Sequence, residues 1–511
     1  MPTPQQELAA ALQRVRGKAA AEILRGPDIG AKDRVLLVKR GFLVKIIKGW
    51  YALTKPQSEP GDTTFWHAHF WGFASAYLRF RFGTAYCLSA EHSLDLWTGQ
   101  TQTPTQLIVI TGKGGGFKLE LPNRTSLLFY PDRKNLPAET ALLQGIQVMP
   151  VAVALARVTP LFYRQAPTSA EIALRLVRAD DLSRILLSAV SFRTTAGRLI
   201  GAFRHCGLNE IAEKIAADLR GAGLDFEENN PFVAPPKLPP GLLFTSPYAG
   251  RLKAMWQHMR PSVLAHFPDA PKAQDPAIYL QQVEEIYTHD AYNSLSIEGY
   301  QVTPELIERI ATGEWNPDAD PEDQEQRNAM AAKGYREAFK LVTKSLQEIL
   351  KGEPAAAIVS RDIPDWYRAL FSPSVQSGLL PAHALAGTRN RAVFIRYSDH
   401  VPPPAEAVTN LLETLFELLS NEPHAGVRAV LGHFLFVYIH PYPDGNGRIG
   451  RFFMNAMLAS GGYPWTVIRV ENRKTYLATL EEASARQDIA PFTQFVATEM
   501  AASELHKAPK K

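Results

Sequence analysis

Within one short run, His440-Pro441-Tyr442-Pro443-Asp444-Gly445-Asn446-Gly447-Arg448-Ile449-Gly450-Arg451 brings together an imidazole, a carboxylate, a glycine-flanked amide and two guanidiniums. These are the groups that handle a nucleoside triphosphate. An imidazole of ordinary pKa, roughly 6.5, is largely neutral at cellular pH, so His440 can take the proton of an attacking hydroxyl. Asp444 offers hard oxygens, which suit Mg2+ bridging to phosphates. Gly445 and Gly447 permit positive φ and close backbone approach, and Arg448 and Arg451 lie on one helical face from which both reach a polyphosphate. A basic surface turn would leave His440 and both arginines unexplained.

Two elements must position these groups. Val427 to Ile439 is apolar with Gly432 as its one breaker, which predicts a buried helix ending at His440. From Arg448 to Ala459, the spacing of Ile449, Phe452, Phe453 and Met457 predicts a second helix. Gly445, Asn446 and Gly447 would then stand at its N-terminus, where free N–H groups and the positive dipole end favour an anion.

The run resembles the Fic motif H-P-F-x-(D/E)-G-N-G-R-x-x-R, with Tyr442 where phenylalanine is usual, an exchange expected at a packing position. Glycine stands at 447, where the related Doc kinases carry lysine and bind the nucleotide the other way round. The resemblance therefore implies transfer of AMP from ATP, with Mg2+, to a Ser, Thr or Tyr hydroxyl of a protein target or of the chain itself. By it, His440 is the base and Asp444 the metal ligand, while Gly445, Asn446, Gly447, Arg448, Ile449, Gly450 and Arg451 hold the nucleotide. Ala386 to Ile395 alternates apolar residues about a polar turn. Alone this reads equally well as an ordinary turn, but its place upstream of the motif favours the short hairpin flap of such enzymes, with Thr388, Arg389, Asn390 and Arg391 facing the target. Val401 to Pro404 leads into a helix at Ala405. Tyr463, Trp465 and the helix from Tyr476 to Ala485 could wall the adenine, and core packing explains these aromatics at least as well.

Far upstream, Asn293-Ser294-Leu295-Ser296-Ile297-Glu298-Gly299 resembles the (S/T)-x-x-x-E-(G/N) inhibitory motif of the same family. Ser294 and Glu298 share a helical face, and Gly299 is a natural helix stop. The resemblance implies that Glu298 pairs with Arg451 and keeps ATP out of alignment. A charge-assisted pair of ~2–3 kcal/mol would hold all but a few per cent of molecules closed. Some glutamate-bearing relatives also remove AMP.

The chain has 511 residues, 46% hydrophobic, which suits two to four packed domains. Cys87 and Cys206 are too few for a disulfide framework or a cysteine zinc site. Neither a signal peptide nor an ~18-residue apolar span is visible, so a cytoplasmic protein without membrane contact is expected. Pro231 to Pro247 holds six prolines in seventeen residues, which reads as an extended spacer. A net charge of +4 names no partner.

The charge is unevenly placed. Lys32, Arg34, Lys39, Arg40, Lys45, Lys48 and Lys55 face the single acid Asp33. Ile29 to Arg40 reads as a helix, and Phe42 to Leu53 as two strands turning near Lys48-Gly49, the layout of a winged helix-turn-helix. On charge alone a solvated amphipathic face explains the pattern equally well. The stretch Lys39 to Leu53 is, however, similar to the winged-helix module of AbiEi-type antitoxins, loosely continued through Tyr86 to Ser89 and Gly145 to Arg157 into Arg220. That implies duplex DNA contacts from Lys39, Arg40, Lys45 and Lys48.

Other patterns carry no chemistry. Gly112 to Gly116 lacks P-loop spacing and reads as a turn between strands. Trp66-His67-Ala68-His69-Phe70 lacks a suitably spaced third ligand and reads as aromatic core. His433 shares the face of His440 and reads as structural.

The expected fold is multidomain. A winged helix-turn-helix at 1–56 opens an N-terminal α+β region that runs on as an antitoxin-like part at 57–228. A Pro-rich linker at 229–250 follows, then a helical region at 251–345 with the inhibitory motif, and an all-α Fic-like core at 346–505 with a small β-hairpin flap. A homodimer is compatible with this reading. The competing reading is a transcription regulator whose Fic-like half senses nucleotide without modifying a target.

Overall fold

A computed structural model describes residues 3–19, 22–54, 64–188, 193–238, 246–272, 274–312, 326–395 and 398–505. Lys55 and residues 239–245 of the Pro-rich stretch lie outside the described residues. The chain divides into two compact units, one of residues 1–251 with 394–401, the other of 252–393 with 402–511.

The first unit opens with α1 (Pro4–Arg16), β1 (Ile23–Arg25), α2 (Ala31–Lys39), β2 (Leu43–Ile47) and β3 (Trp50–Leu53). The strands form an antiparallel sheet in the order β1-β3-β2, closed by a turn in which Gly49 has φ +80°. Ala11, Val15, Leu24, Leu37, Leu43 and Leu53 form the core of this part, and Arg14 pairs with Asp33 on α2 through two hydrogen bonds of 2.9 and 2.7 Å. Lys39, Arg40, Lys45 and Lys48 are all exposed.

Next come α3 (Thr64–Phe82), β4 (Tyr86–Leu88), α4 (Ala90–Trp97), β5 (Gln106–Thr111), β6 (Phe117–Glu120) and β7 (Ser126–Pro131), then the hairpin of β8 (Ala141–Leu143) and β9 (Ile146–Val148). Four strands form a mixed sheet, β4-β5-β7-β6, in which only β5 and β7 run parallel. Trp66, Phe70 and Phe73 of α3 are buried in the core it shares with this sheet, as the aromatic-core reading expects. His69 hydrogen-bonds the carbonyls of Phe65 and Leu53, and among the described residues no group of three His, Cys, Asp or Glu could hold a metal. Gly112 to Gly116 joins β5 to β6.

Six helices complete the unit: α5 (Val151–Arg157), α6 (Pro160–Gln165), α7 (Pro167–Leu176), α8 (Ala179–Leu187), α9 (Arg193–His205) and α10 (Asn209–Gly221). Cys87 and Cys206 are free and buried in their core, where burial pushes each thiol up to about 12 and removes thiolate chemistry. The linker differs from a free spacer up to Leu238. The buried Glu171 carboxylate accepts the N–H groups of Lys237 and Leu238 at 2.7 and 3.1 Å, and Phe232 stacks on His205. Proline does favour extended backbone, but extended backbone leaves N–H groups open, and a buried carboxylate has captured two of them.

In the second unit, reached through α11 (Pro247–His266), the described residues form helices and no strand: α12 (Pro276–Glu285), α13 (Tyr287–Ile297), α14 (Pro304–Thr312), α15 (Gln326–Leu350), α16 (Ala355–Gln376), α17 (Val408–Ser420), α18 (Ala425–Ile439), α19 (Asn446–Ala459), α20 (Arg473–Arg486) and α21 (Ala490–Leu505). All of α18 except Arg428 and Val437 is buried, and all of α19 except Gly447. Helices apolar on every side sit at the centre of a bundle, and the packed pair fixes the loop between them. Among the described residues no helix is long and apolar enough to cross a membrane.

The expected hairpin flap is not formed. Residues 386–395 contain no strand, because their central residue bonds elsewhere: the Arg389 N–H donates to the Pro441 carbonyl at 2.8 Å. The alternation of apolar residues is real, but the partner of the segment is the motif loop rather than its own second arm.

Candidate functional site

Helix α18 stops at His440, which adopts the left-handed conformation with φ +52° while its N–H still bonds the Phe436 carbonyl. That conformation costs a residue with a side chain ~1–2 kcal/mol, so surrounding contacts must impose it. Arg389 imposes it. Its buried guanidinium donates to the carbonyl of His440 at 2.8 Å and of Ile439 at 3.2 Å, and also to those of Arg391 and Pro403. Arg389 is therefore a clamp on the motif backbone and not a target-facing residue, whereas Thr388, Asn390 and Arg391 are exposed.

The His440 Nδ1 lies 3.3 Å from the Val437 carbonyl. A carbonyl can only accept, so this contact places the proton on Nδ1 and leaves the Nε2 lone pair able to accept another. Burial pushes His440 down to about 4, with Arg389 adding to it, so the ring is neutral at pH 7. His433 is also held near 4 by burial, stacks on Phe492 and bonds the Tyr476 hydroxyl at 2.8 Å, which makes it structural.

These two rings predict an acid response. Each takes up its proton near 4 when folded and near ~6.5 when unfolded, so the stability they contribute is full above pH ~6.5 and is lost as pH falls toward 4. The melting temperature should fall across that window, and His433→Gln, which removes one of the rings, should flatten the fall. An equally steep fall in the variant would contradict a buried neutral His433.

The loop itself is held by Asn446, whose side chain accepts from the Tyr442 N–H at 2.9 Å and donates to the Tyr442 carbonyl at 2.8 Å. Tyr442 is buried and stacked on Tyr367 with centroids 4.0 Å apart, the packing role expected for it. Gly445 caps α19 with φ +81°, and the first helical bond runs from Ile449 to Gly445. The N–H groups of residues 446–448 thus precede the ladder, as an anion site requires. Ile449 is wholly buried and Gly450 lies against His433, so these two pack the helix rather than touch a nucleotide.

Gly447 is required for a different reason from the one read in the sequence. It is helical, not of positive φ, but a Cβ there would come within 2.3 Å of the Glu298 Oε1. The Glu298 carboxylate thus sits over the start of α19. It arrives there from α13, which ends in a Schellman turn: Tyr300 N–H bonds the Leu295 carbonyl, Gly299 N–H bonds that of Ser296, and Gly299 has φ +84°.

Arg451, on α19, is buried and donates to Ser294 Oγ at 3.0 Å, to the Ser294 carbonyl at 3.0 Å and to Glu298 Oε1 at 2.9 Å. Its Nη1 has no hydrogen-bond partner among the described residues. Burial pushes the Glu298 carboxyl up, but Arg451 and Arg448 outweigh it and hold the group below the ordinary carboxylate range. Below its own Arg451 contact, α13 carries the buried Asp290, which accepts from Tyr335 at 2.6 Å.

Arg448 is also buried and lies between two rings, 5.1 Å from Tyr300 and 5.0 Å from Phe371. Its Nε has no partner among the described residues, and its Nη2 is 3.5 Å from Asp444 Oδ2. The Asp444 side chain is 64% exposed and its other oxygen accepts from the Gly445 N–H. Sequence reasoning missed Tyr300 and Phe371, since nothing in their spacing marks them as supports of an arginine. Tyr463, Trp465 and Tyr476 are each buried.

The Fic/DOC family profile matches residues 359–458, which excludes Glu298. The chain is 34% identical over 219 residues to a protein adenylyltransferase Fic of Nematostella vectensis, covering 42% of this chain and 47% of that one. With the protein of the same name from Drosophila grimshawi it shares 29% over 218 residues, covering 42% and 41%. The chain spans less than half the length of these curated relatives. A solved structure of Fic-1 from C. elegans aligns at 18% identity and a TM-score of 0.38, covering 67% of this chain and 91% of that one, a likeness too low to argue from. The helical unit, with the loop 440–451 near the C-terminal end of the matched residues, carries a domain of the Fic/DOC family.

Proposed function

We propose that the helical unit transfers AMP from ATP to a Ser, Thr or Tyr hydroxyl of a protein, itself included, and that Glu298 restrains it. The observation that carries this reading is the Glu298 carboxylate at the start of α19, 2.9 Å from Arg451. An anion already stands where a phosphate would bind, and the arginine that would hold that phosphate is engaged.

When Glu298 withdraws, phosphate oxygens take its place against the N–H groups of 446–448, with Arg448 and Arg451 beside them. The acceptor oxygen attacks the α-phosphorus, its proton passes to His440 Nε2, the bond to the bridging oxygen breaks and pyrophosphate leaves. Asp444 fits Mg2+, because an exposed carboxylate together with substrate phosphates is that ion's usual protein site. Bound there, Mg2+ would neutralise charge on the phosphates. The same glutamate could orient a water for removal of AMP.

Mass spectrometry tests the reading. Incubation with ATP should leave AMP esterified to a hydroxyl side chain of the chain or of an added protein. A phosphate adduct, or none from the Glu298→Gly chain, would refute it.

For the first unit we propose a winged helix that contacts duplex DNA. The order α1-β1-α2-β2-β3 and the exposure of Lys39, Arg40, Lys45 and Lys48 support it. Each Lys or Arg on a phosphate releases a counterion, so affinity should fall steeply with salt, and Lys45→Ala with Lys48→Ala should flatten the slope by roughly two contacts. Absence of binding at ~50 mM salt, where such association is strong, would leave these lysines a solvated face. DNA binding with no AMP transfer under any condition would instead favour a regulator that senses nucleotide.

A further inference from the structure

A cavity of about 180 Å³ opens beside the motif, lined by Tyr300, Arg327, Leu370, Phe371, Asp444 and Arg448 among others. It is smaller than the ~300–1,000 Å³ of a whole small-molecule site, so it suits part of a ligand. Two guanidiniums converge on it over one ring: Arg327, in the first turn of α15, lies 5.4 Å from the Tyr300 centroid and Arg448 lies 5.1 Å from it. Like charges brought together against apolar walls repel, and they are stable together when an anion lies between them. Among the described residues Arg327 has no carboxylate partner, and Arg448, only 1% exposed, lines the cavity with an Nε that bonds nothing. Among the described residues the one acid that lines it, Asp444, is the residue proposed to face Mg2+.

We propose that this cavity is a subsite for the terminal phosphates of the nucleotide, the end that departs as pyrophosphate, and that Arg327 is their ligand from outside the motif. This rests on the reading of loop 440–451 as the nucleotide site. Arg448 reaches the phosphates from the loop side. Arg327 meets them from α15, so a triphosphate gains a contact that a monophosphate cannot make. Tyr300 holds both guanidiniums by its ring face, and because it directly follows the Glu298-Gly299 stop of α13, the segment that restrains Arg451 also shapes this pocket.

Calorimetry on the full chain tests the subsite without any transfer step, using Mg-ATP, Mg-pyrophosphate and AMP as probes. Arg327→Ala, at an exposed position that should not disturb folding, is expected to weaken ATP and pyrophosphate roughly tenfold and to leave AMP unchanged. Arg327→Glu should weaken both polyphosphates further. Equal loss for AMP, or unchanged ATP and pyrophosphate affinity in both variants, would overturn the proposal. If the variants alter only modification of a protein target, the pocket serves an acidic side chain of that target instead. Should the native chain show Arg327-dependent pyrophosphate binding while the Glu298→Gly chain never transfers AMP, the transfer reading fails and the subsite stands.

Discussion

His440→Ala should lower AMP transfer by roughly 10²–10⁴-fold, the usual contribution of a positioned general base, while ATP affinity stays near that of the native chain. The argument is geometric. His440 Nδ1 faces the Val437 carbonyl, so only Nε2 can accept a proton, and on the proposed reading that proton comes from the acceptor rather than from the nucleotide. On the proposed reading the phosphates are met instead by the N–H groups of 446–448 and by Arg448 and Arg451, which the substitution does not touch. Arg389 continues to bond the carbonyls of residues 439 and 440, so the loop should keep its course. A variant that transfers AMP at the native rate would remove His440 from the chemistry. A variant that loses ATP binding as well would mean that the ring supports the loop rather than the proton transfer.

Glu298→Gly should raise transfer tenfold or more. The carboxylate accepts from Arg451 at 2.9 Å with its side chain only 28% exposed, and losing ~1.4 kcal/mol of bias toward the restrained state is already a factor of ten. Because Arg451 and Arg448 hold Glu298 below the ordinary carboxylate range, the proposed restraint should persist throughout neutral pH and be lost only as pH falls through that lowered value. Adding Arg451→Ala should abolish the gain, since on the proposed reading the freed arginine is what a phosphate then engages. A folded, ATP-binding Glu298→Gly chain with unaltered transfer would make the 2.9 Å pair a structural contact only.

How much of this could be read from the residues depends on how local each feature is. The motif loop is contiguous, and the apolar runs on either side announce the two central helices, whose observed limits, Ala425–Ile439 and Asn446–Ala459, lie within two residues of the expected ones. The strands at Leu43–Ile47 and Trp50–Leu53 follow equally from alternation and a Gly turn. The Glu298–Arg451 pair spans 153 residues, and no periodicity connects them. Only the resemblance of two motifs brought them together. Where packing partners decided the outcome, local pattern misled. Residues 386–395 alternate like a hairpin, yet Arg389 turns inward to hold the loop. Gly447 looks like a turn glycine, but it is helical and bare because a carboxylate lies above it. Tyr300 and Phe371 support Arg448 through ring faces that spacing does not reveal.

The central claim is AMP transfer by this loop, and ATP labelled at either the α- or the γ-phosphate tests it most directly. Purified Glu298→Gly chain is incubated with each nucleotide and cell lysate, beside the Glu298→Gly, His440→Ala double variant. The account predicts protein-bound label from the α position only, absent in the double variant. Label retained from the γ position would make the chemistry phosphoryl transfer and contradict the account.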